Sequence, residues 1–171
     1  NTVELFVEDW TLEFLIRLNG EDMLGEEHQL AGFQTDPPEG QQGMRIWLEG
    51  DEVRDTLGLS IHSGGSKQAV EPIDVKLEVG VWTWVTIVGT SESIMVYRDG
   101  AMLNEQLGFP FDPAVPLATI IIGANSYGER ARTFNGSFAL VRVHDMALSE
   151  AEVLGNMGGG GGAAVEPDSK L

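Results

Sequence analysis

Residues 10–18 run Trp-Thr-Leu-Glu-Phe-Leu-Ile-Arg-Leu, and this stretch decides the fold. The even positions Trp10, Leu12, Phe14, Ile16 and Leu18 are all apolar, while the odd ones include Thr11, Glu13 and Arg17. Side chains alternate across a strand, so the pattern predicts a half-buried strand with one face on a core and one toward water. The same reading predicts strands at 44–48, 57–62, 82–89, 94–98, 118–123 and 137–144. Residues 120–122 are three isoleucines in succession, as expected of a strand covered on both faces.

Turn chemistry separates these runs. Asn19-Gly20, Asp99-Gly100 and Asn135-Gly136 tolerate positive φ. Asp99-Gly100 lies between 94–98 and 101–106, a hairpin signature. Pro37-Pro38, Pro110 and Pro113 mark irregular loops. One helix is predicted near the end. Ser149 stands three residues before Glu152, the spacing of a capping box, and Gly155-Asn156 is expected to stop it. Many short strands and one short helix predict an all-β sandwich of antiparallel sheets.

The chain has 171 residues, enough for one domain with its own core. It has no Cys, which excludes a disulfide framework, a thiolate metal site and a cysteine nucleophile. With 27 acidic residues against 10 Lys plus Arg, the net charge is −17. That charge repels phosphate backbones and anionic membranes at long range, so neither nucleic acid nor membrane insertion is expected. No run approaches the roughly 18–20 apolar residues of a membrane helix. Asn1, with no Met or signal peptide at the start, reads as the beginning of a piece processed from something longer. Gly fills 158–162, so 158–171 reads as a Gly-rich linker or tail behind a domain spanning 1–157.

Taken in order, the segments V-W-T-W-V-T-I-V from Val81, I-M-V-Y-R-D-G from Ile94, I-I-I-G-A-N from Ile120 and F-N-G-S-F-A-L-V-R-V-H-D-M-A-L-S-E-A-E-V from Phe134 form a specific combination. With Asp9-Trp10-Thr11-Leu12-Glu13-Phe14 upstream, the chain resembles the laminin-G-like branch of the concanavalin A-like lectin/glucanase superfamily. The resemblance covers most of 9–156 and is weakest between Gly20 and Val79. It implies a jelly-roll β-sandwich of two antiparallel sheets with one short C-terminal helix. It also implies a ligand site on the concave sheet or the loops at its rim. Many such domains carry an Asp-Glu pair where this chain has Ala139 and Leu140, which removes acids that often support a nearby metal.

Candidate ligand residues follow from chemistry. Arg45 and Trp47 share one parity, and an indole can stack on a sugar ring while a guanidinium donates to its hydroxyls. The loop after Gly123 holds Asn125, Tyr127, Arg130 and Arg132, a local basic spot on an acidic chain. Calcium wants six to eight oxygens, and Asp9 and Asp51 are the candidate ligands. Trp82 and Trp84 alternate onto one face and read as core anchors, with a sugar-stacking platform as the alternative. Gly136 reads as permitting its turn. His28, His62 and His144 lack metal-ligand spacing and read as surface or pleat residues.

The superfamily's glucanases use a Glu-x-Asp-x-x-Glu strand. Residues 49–54 begin that way but end on Arg54, and Gly50 among mixed acids reads as a loop. The expectation is a non-catalytic recognition or adhesion module for a glycan or protein partner, extracellular, periplasmic or on the cell envelope, beside neighbouring domains of a longer chain. The alternatives are a structural spacer docking those domains and a degenerate polysaccharide hydrolase.

Overall fold

The computed structural model describes residues 9–20, 27–35, 43–51, 56–63, 68–69, 73–107, 117–124 and 133–159. In chain order the elements are β1 (Trp10–Leu18), β2 (Glu27–Thr35), β3 (Gly43–Asp51), β4 (Thr56–Ser63), β5 (Gln68–Ala69), β6 (Ile73–Asp74), β7 (Thr83–Gly89), β8 (Ser93–Arg98), β9 (Ala101–Leu107), β10 (Leu117–Ile122), β11 (Gly136–His144) and α1 (Glu150–Gly159). A 5-stranded sheet runs β11-β1-β7-β8-β9, and a 6-stranded sheet runs β10-β2-β3-β4-β5 with β6 beside β4. Every ladder between these strands is antiparallel. The expected two-sheet jelly-roll sandwich with one C-terminal helix is the fold.

The core lies between the sheets. The even side chains of β1 meet Leu30, Ala31, Ile46 and Leu48 from one sheet and Val85, Ile87, Ile94 and Val96 from the other. Burying each Leu, Ile or Phe of this set contributes roughly 1.5–3 kcal/mol. The Asp99-Gly100 hairpin forms as predicted, with φ of 48° and 78°, the left-handed pair of a tight type I′ turn. Asp99 also fastens β7, its Oδ1 accepting from the Trp84 N–H at 3.0 Å.

Three expectations fail for physical reasons. The isoleucine run lies on β10, an edge strand, so Ile120 is 37% exposed and only Ile122 packs on the core. Gly136 opens β11 without positive φ. It must be Gly because a Cβ there would lie 2.2 Å from the Phe134 ring and 2.6 Å from the Arg17 carbonyl. The helix runs through Gly155 and Asn156 to Gly159. Its last turns are held by packing, since the Asn156 amide donates to Glu13 and Met157 lies beside Gly100.

That helix explains why β1 is not simply half-buried. Thr11 and Glu13, both expected toward water, are fully buried. The segment leading into α1 covers this outer face, where Val88, Tyr97, Leu148 and Val153 form a second apolar cluster. The Thr11 hydroxyl donates to the Met146 carbonyl at 2.8 Å and accepts from the Leu148 N–H at 3.0 Å. Glu13 Oε2 accepts from His144 Nε2 at 2.7 Å and Asn156 Nδ2 at 3.2 Å, and Arg142 sits 3.6 Å away. His144 therefore serves as a structural partner of a buried carboxylate. Burial, then the Glu150 and Glu105 carboxylates, push the Tyr97 phenol up.

The capping box forms as predicted. The Ser149 N–H and hydroxyl donate to Glu152 Oε2 at 2.8 and 2.7 Å. The Ser149 hydroxyl and then its N–H hold the Glu152 carboxyl below its ordinary range. A lowered carboxyl stabilises the fold above its ordinary pKa, and that contribution is lost as pH falls through the lowered value. Acidification through this window should loosen the first turn of α1, and Ser149→Ala, which keeps only the backbone N–H bond, should cost about 1 kcal/mol at neutral pH and shrink that step. Amide exchange at Val153, whose N–H donates to the Ser149 carbonyl, reads both effects. Equal acid sensitivity in the variant would contradict the assignment.

Candidate functional site

The 6-stranded sheet builds the site. Strand β3 is central, with β2 on one side and β4 on the other. Alternation sends Ile46 and Leu48 into the core, so positions 45, 47, 49 and 51 belong to the outer face. Pairing then sets two rows across the sheet: Gly32, Arg45 and His62, and beside it Gln29, Trp47 and Ser60. Trp47 is only 4% exposed and Gln29 is fully buried. The Trp47 indole, expected to offer a stacking surface for a sugar ring, is thus almost wholly covered as a packed part of this face.

The second expected group, Asn125, Tyr127, Arg130 and Arg132, lies outside the described residues, but both ends of its segment are described. Gly123 donates its N–H to the Leu30 carbonyl at 3.0 Å and accepts from the Phe134 N–H at 3.0 Å. Thr133 forms a parallel bridge with Gln29, and its carbonyl accepts from His28 Nδ1 at 2.9 Å. Phe134 is buried against Phe138, ring centroids 4.8 Å apart. Segment 125–132 therefore springs from a rigid base on β2, beside the residue that pairs with Trp47. His28, expected as a surface or pleat residue, is a buried strand residue whose ring pins that base.

Among the described residues, no three His, Cys, Asp or Glu side chains gather to hold a metal. Asp9 is exposed just before β1, and Asp51 closes β3 in the other sheet, its side chain outside the described set. Residues 49–51, expected as a loop, belong to strand β3 and face Gly58, Leu57 and Thr56 of β4. Arg54 lies outside the described residues.

Trp82 and Trp84 are corrected most. Neither joins the core, because Val85 and Ile87 of the opposite parity fill it. Both indoles are half-buried on the outer face of the 5-stranded sheet, each beneath a guanidinium. Arg17 sits 4.9 Å from the Trp82 ring and Arg142 sits 5.5 Å from the Trp84 ring. No sequence signal places these arginines over the indoles, although Arg17 stands at an outward position of β1.

Solved structures share the fold. A heptameric SAP-like pentraxin from Limulus polyphemus matches with TM-score 0.66 and 19% identity, over 86% of this chain and 69% of that one. The CBM40 of the Ruminococcus gnavus IT-sialidase, solved bound to α2,3-sialyllactose, matches with TM-score 0.68 and 12% identity, over 88% of this chain and 83% of that one. The receptor-binding domain of botulinum neurotoxin D matches with TM-score 0.67 and 13% identity, over 92% of this chain and 38% of that one. Among curated proteins no sequence relative matches. The laminin G-type family model described as concanavalin A-like lectin/glucanases superfamily matches residues 2–154. With the sandwich and its register in hand, that match over nearly the whole chain means that it belongs to the concanavalin A-like lectin/glucanases superfamily.

Proposed function

We propose that the chain is a non-catalytic recognition module that binds a carbohydrate through the outer face of its 6-stranded sheet. It would serve a larger secreted or envelope protein, with the Gly-rich tail that follows α1 as the tether to a neighbouring domain. One observation carries the reading: Arg45 and Trp47 lie on the central strand, and the base of segment 125–132 is pinned to β2 at Gln29, the partner of Trp47. The strand that carries the first group and the described base of the segment that carries the second belong to one sheet. In this reading Arg45, Tyr127, Arg130 and Arg132 supply the contacts and Trp47 the wall behind them. The carbohydrate-binding neighbour supports the ligand class.

The test is thermal unfolding against a panel of polysaccharides, each with calcium and with chelator. A ligand at 100 times its Kd adds about 2.7 kcal/mol, roughly 5–11 °C for a domain of this size. Arg45→Ala and Tyr127→Ala should each weaken the responding glycan about tenfold or more without lowering the unliganded Tm. A response to calcium alone would establish a metal site, with Asp9 and Asp51 the first to substitute. No response to any glycan would favour the protein-docking or spacer role.

One observation favours a hydrolase instead. Glu49 and Asp51 lie in a strand with shared parity, as the glucanase motif requires. Against it, Arg54 replaces the third acid. Turnover of a β-glucan that disappears in Glu49→Gln would establish the catalytic reading.

A further inference from the structure

The geometry points to a second binding site, for a carboxylate-bearing sugar, at the Arg17–Trp82 corner of the 5-stranded sheet, on the opposite face of the sandwich from Arg45. At this corner a cation lacks an acid. The chain carries 27 acidic residues against 10 Lys plus Arg, so an exposed guanidinium with no polar partner stands out. Arg98, which also lacks an acid among the described residues, donates to the Val75 carbonyl at 3.3 Å. Arg142 has found Glu13. Arg17 has no carboxylate among the described residues, and its recorded side-chain partner is the Trp82 ring.

Register explains the isolation. Leu15 faces Leu140 across the β1–β11 ladder, between the Glu13–Arg142 pair and Arg17. Those two leucines insulate Arg17 from the buried acid. The guanidinium lies over the indole, 4.9 Å from its centroid, and makes no ion pair with a described carboxylate, so its N–H fork can receive a carboxylate in two parallel hydrogen bonds.

The surroundings suit the rest of a sugar. Ser137 lies directly opposite Arg17, and its hydroxyl donates to Asn19 Oδ1 at 3.3 Å. That bond orients the Asn19 amide N–H groups and leaves the serine oxygen able to accept, so both can meet ring hydroxyls. Val81, 47% exposed next to Trp82, adds an apolar edge for a pyranose face. A single carboxylate suits the site better than a polyanion. The chain's −17 charge repels a polyanion at long range, whereas one short-range ion pair acts inside the roughly 8 Å Debye length.

The test is two-dimensional NMR of the nitrogen-15-labelled full chain, read at its 4 Trp indole N–H signals, with Trp82→Phe identifying the relevant one. The probes are glucuronic acid and N-acetylneuraminic acid, with glucose as the neutral control. Both acids, or one of them, should move the Trp82 signal saturably, and glucose should not. Arg17→Gln should weaken the response about tenfold, the loss of a charge-assisted hydrogen bond, and Arg17→Lys should fall between. Asn19→Ala, exposed and away from the core, should weaken it several-fold and guards against a folding defect in the Arg17 variants. Arg45→Ala should leave it unchanged, which separates this site from the one on the other sheet. An equal response to glucose, an unchanged titration in Arg17→Gln, or loss of the response in Arg45→Ala would each overturn the assignment.

Discussion

Glu13→Ala should cost about 3 kcal/mol of folding stability, toward the lower end expected when one partner of a buried charge pair is removed. For a domain of this size that lowers Tm by roughly 6–12 °C. The carboxylate is fully buried between β1 and α1; His144 and Asn156 donate to its Oε2, and the Arg142 guanidinium lies 3.6 Å away as an ion-pair partner. Removing it leaves those donors facing an empty acceptor position beneath the helix. Arg142 is 35% exposed and recovers part of its loss in water, which is why the upper end is not expected. Because Asn156 ties the helix to this carboxylate, the loss should also appear locally, as faster amide exchange through α1 than in the core strands. Glu13→Gln keeps an acceptor of the same shape and should lose less than half as much. Denaturant unfolding of the three proteins measures this, and an Ala variant within 0.5 kcal/mol of the parent would show that the cluster is not what holds α1 down.

Glu13 also marks the limit of what the sequence disclosed. Period two in Trp10–Leu18 was legible because one face of β1 meets the core along its whole length. The other parity carries Thr11 and Glu13, and no local pattern reveals that a helix some 140 residues later will cover them. Strand β7 posed the converse problem. Val85 and Ile87 face the core while Val88 joins the α1 cluster and Thr86 is buried opposite Glu13, so both parities are buried and alternation loses its meaning. Trp82 and Trp84 were then assigned inward by size alone, although the pleat already opposed them to Val85 and Ile87. Strand β2 escaped notice for a third reason. A register shift between Gln29 and Ala31 puts adjacent Leu30 and Ala31 both into the core, which breaks period two where the strand is most buried.

The site was legible in its parts and not in its assembly. Parity within β3 joined Arg45 to Trp47, because a strand carries that information locally. Pairing across strands is long-range, so Gln29, Ser60 and His62 could not be read as their neighbours before the ladders were known. The same holds for Arg17, whose significance rests on Leu140 standing opposite Leu15. The two proposed sites occupy outer faces of different sheets, and each combines a guanidinium with residues that only the register brings beside it.

Phe134→Ala should be as damaging as Glu13→Ala for the fold and more so for binding. Truncating a buried Phe costs about 3–5 kcal/mol, and this site has little room to collapse. The ring fills the space that Gly136 leaves open, and it packs against Phe138, whose ring in turn closes on Gly123. Those contacts set the base of segment 125–132: the Phe134 N–H to the Gly123 carbonyl, the Gly123 N–H to the Leu30 carbonyl, and His28 to the Thr133 carbonyl. With the ring gone, the three hydrogen bonds remain possible but lose the wedge that holds both ends of the segment in one geometry. If the proposed glycan site uses Tyr127, Arg130 and Arg132, its affinity should therefore weaken at temperatures where the variant is still folded, because the base that positions their segment has lost its wedge. Phe138→Leu, which keeps apolar volume behind the same base, should lose stability with less effect on affinity. Paired denaturation and ligand titration of the two variants separate the roles. Unchanged affinity in folded Phe134→Ala would mean that the segment does not depend on this base, and would shift the ligand contacts of the 6-stranded sheet onto β3 alone.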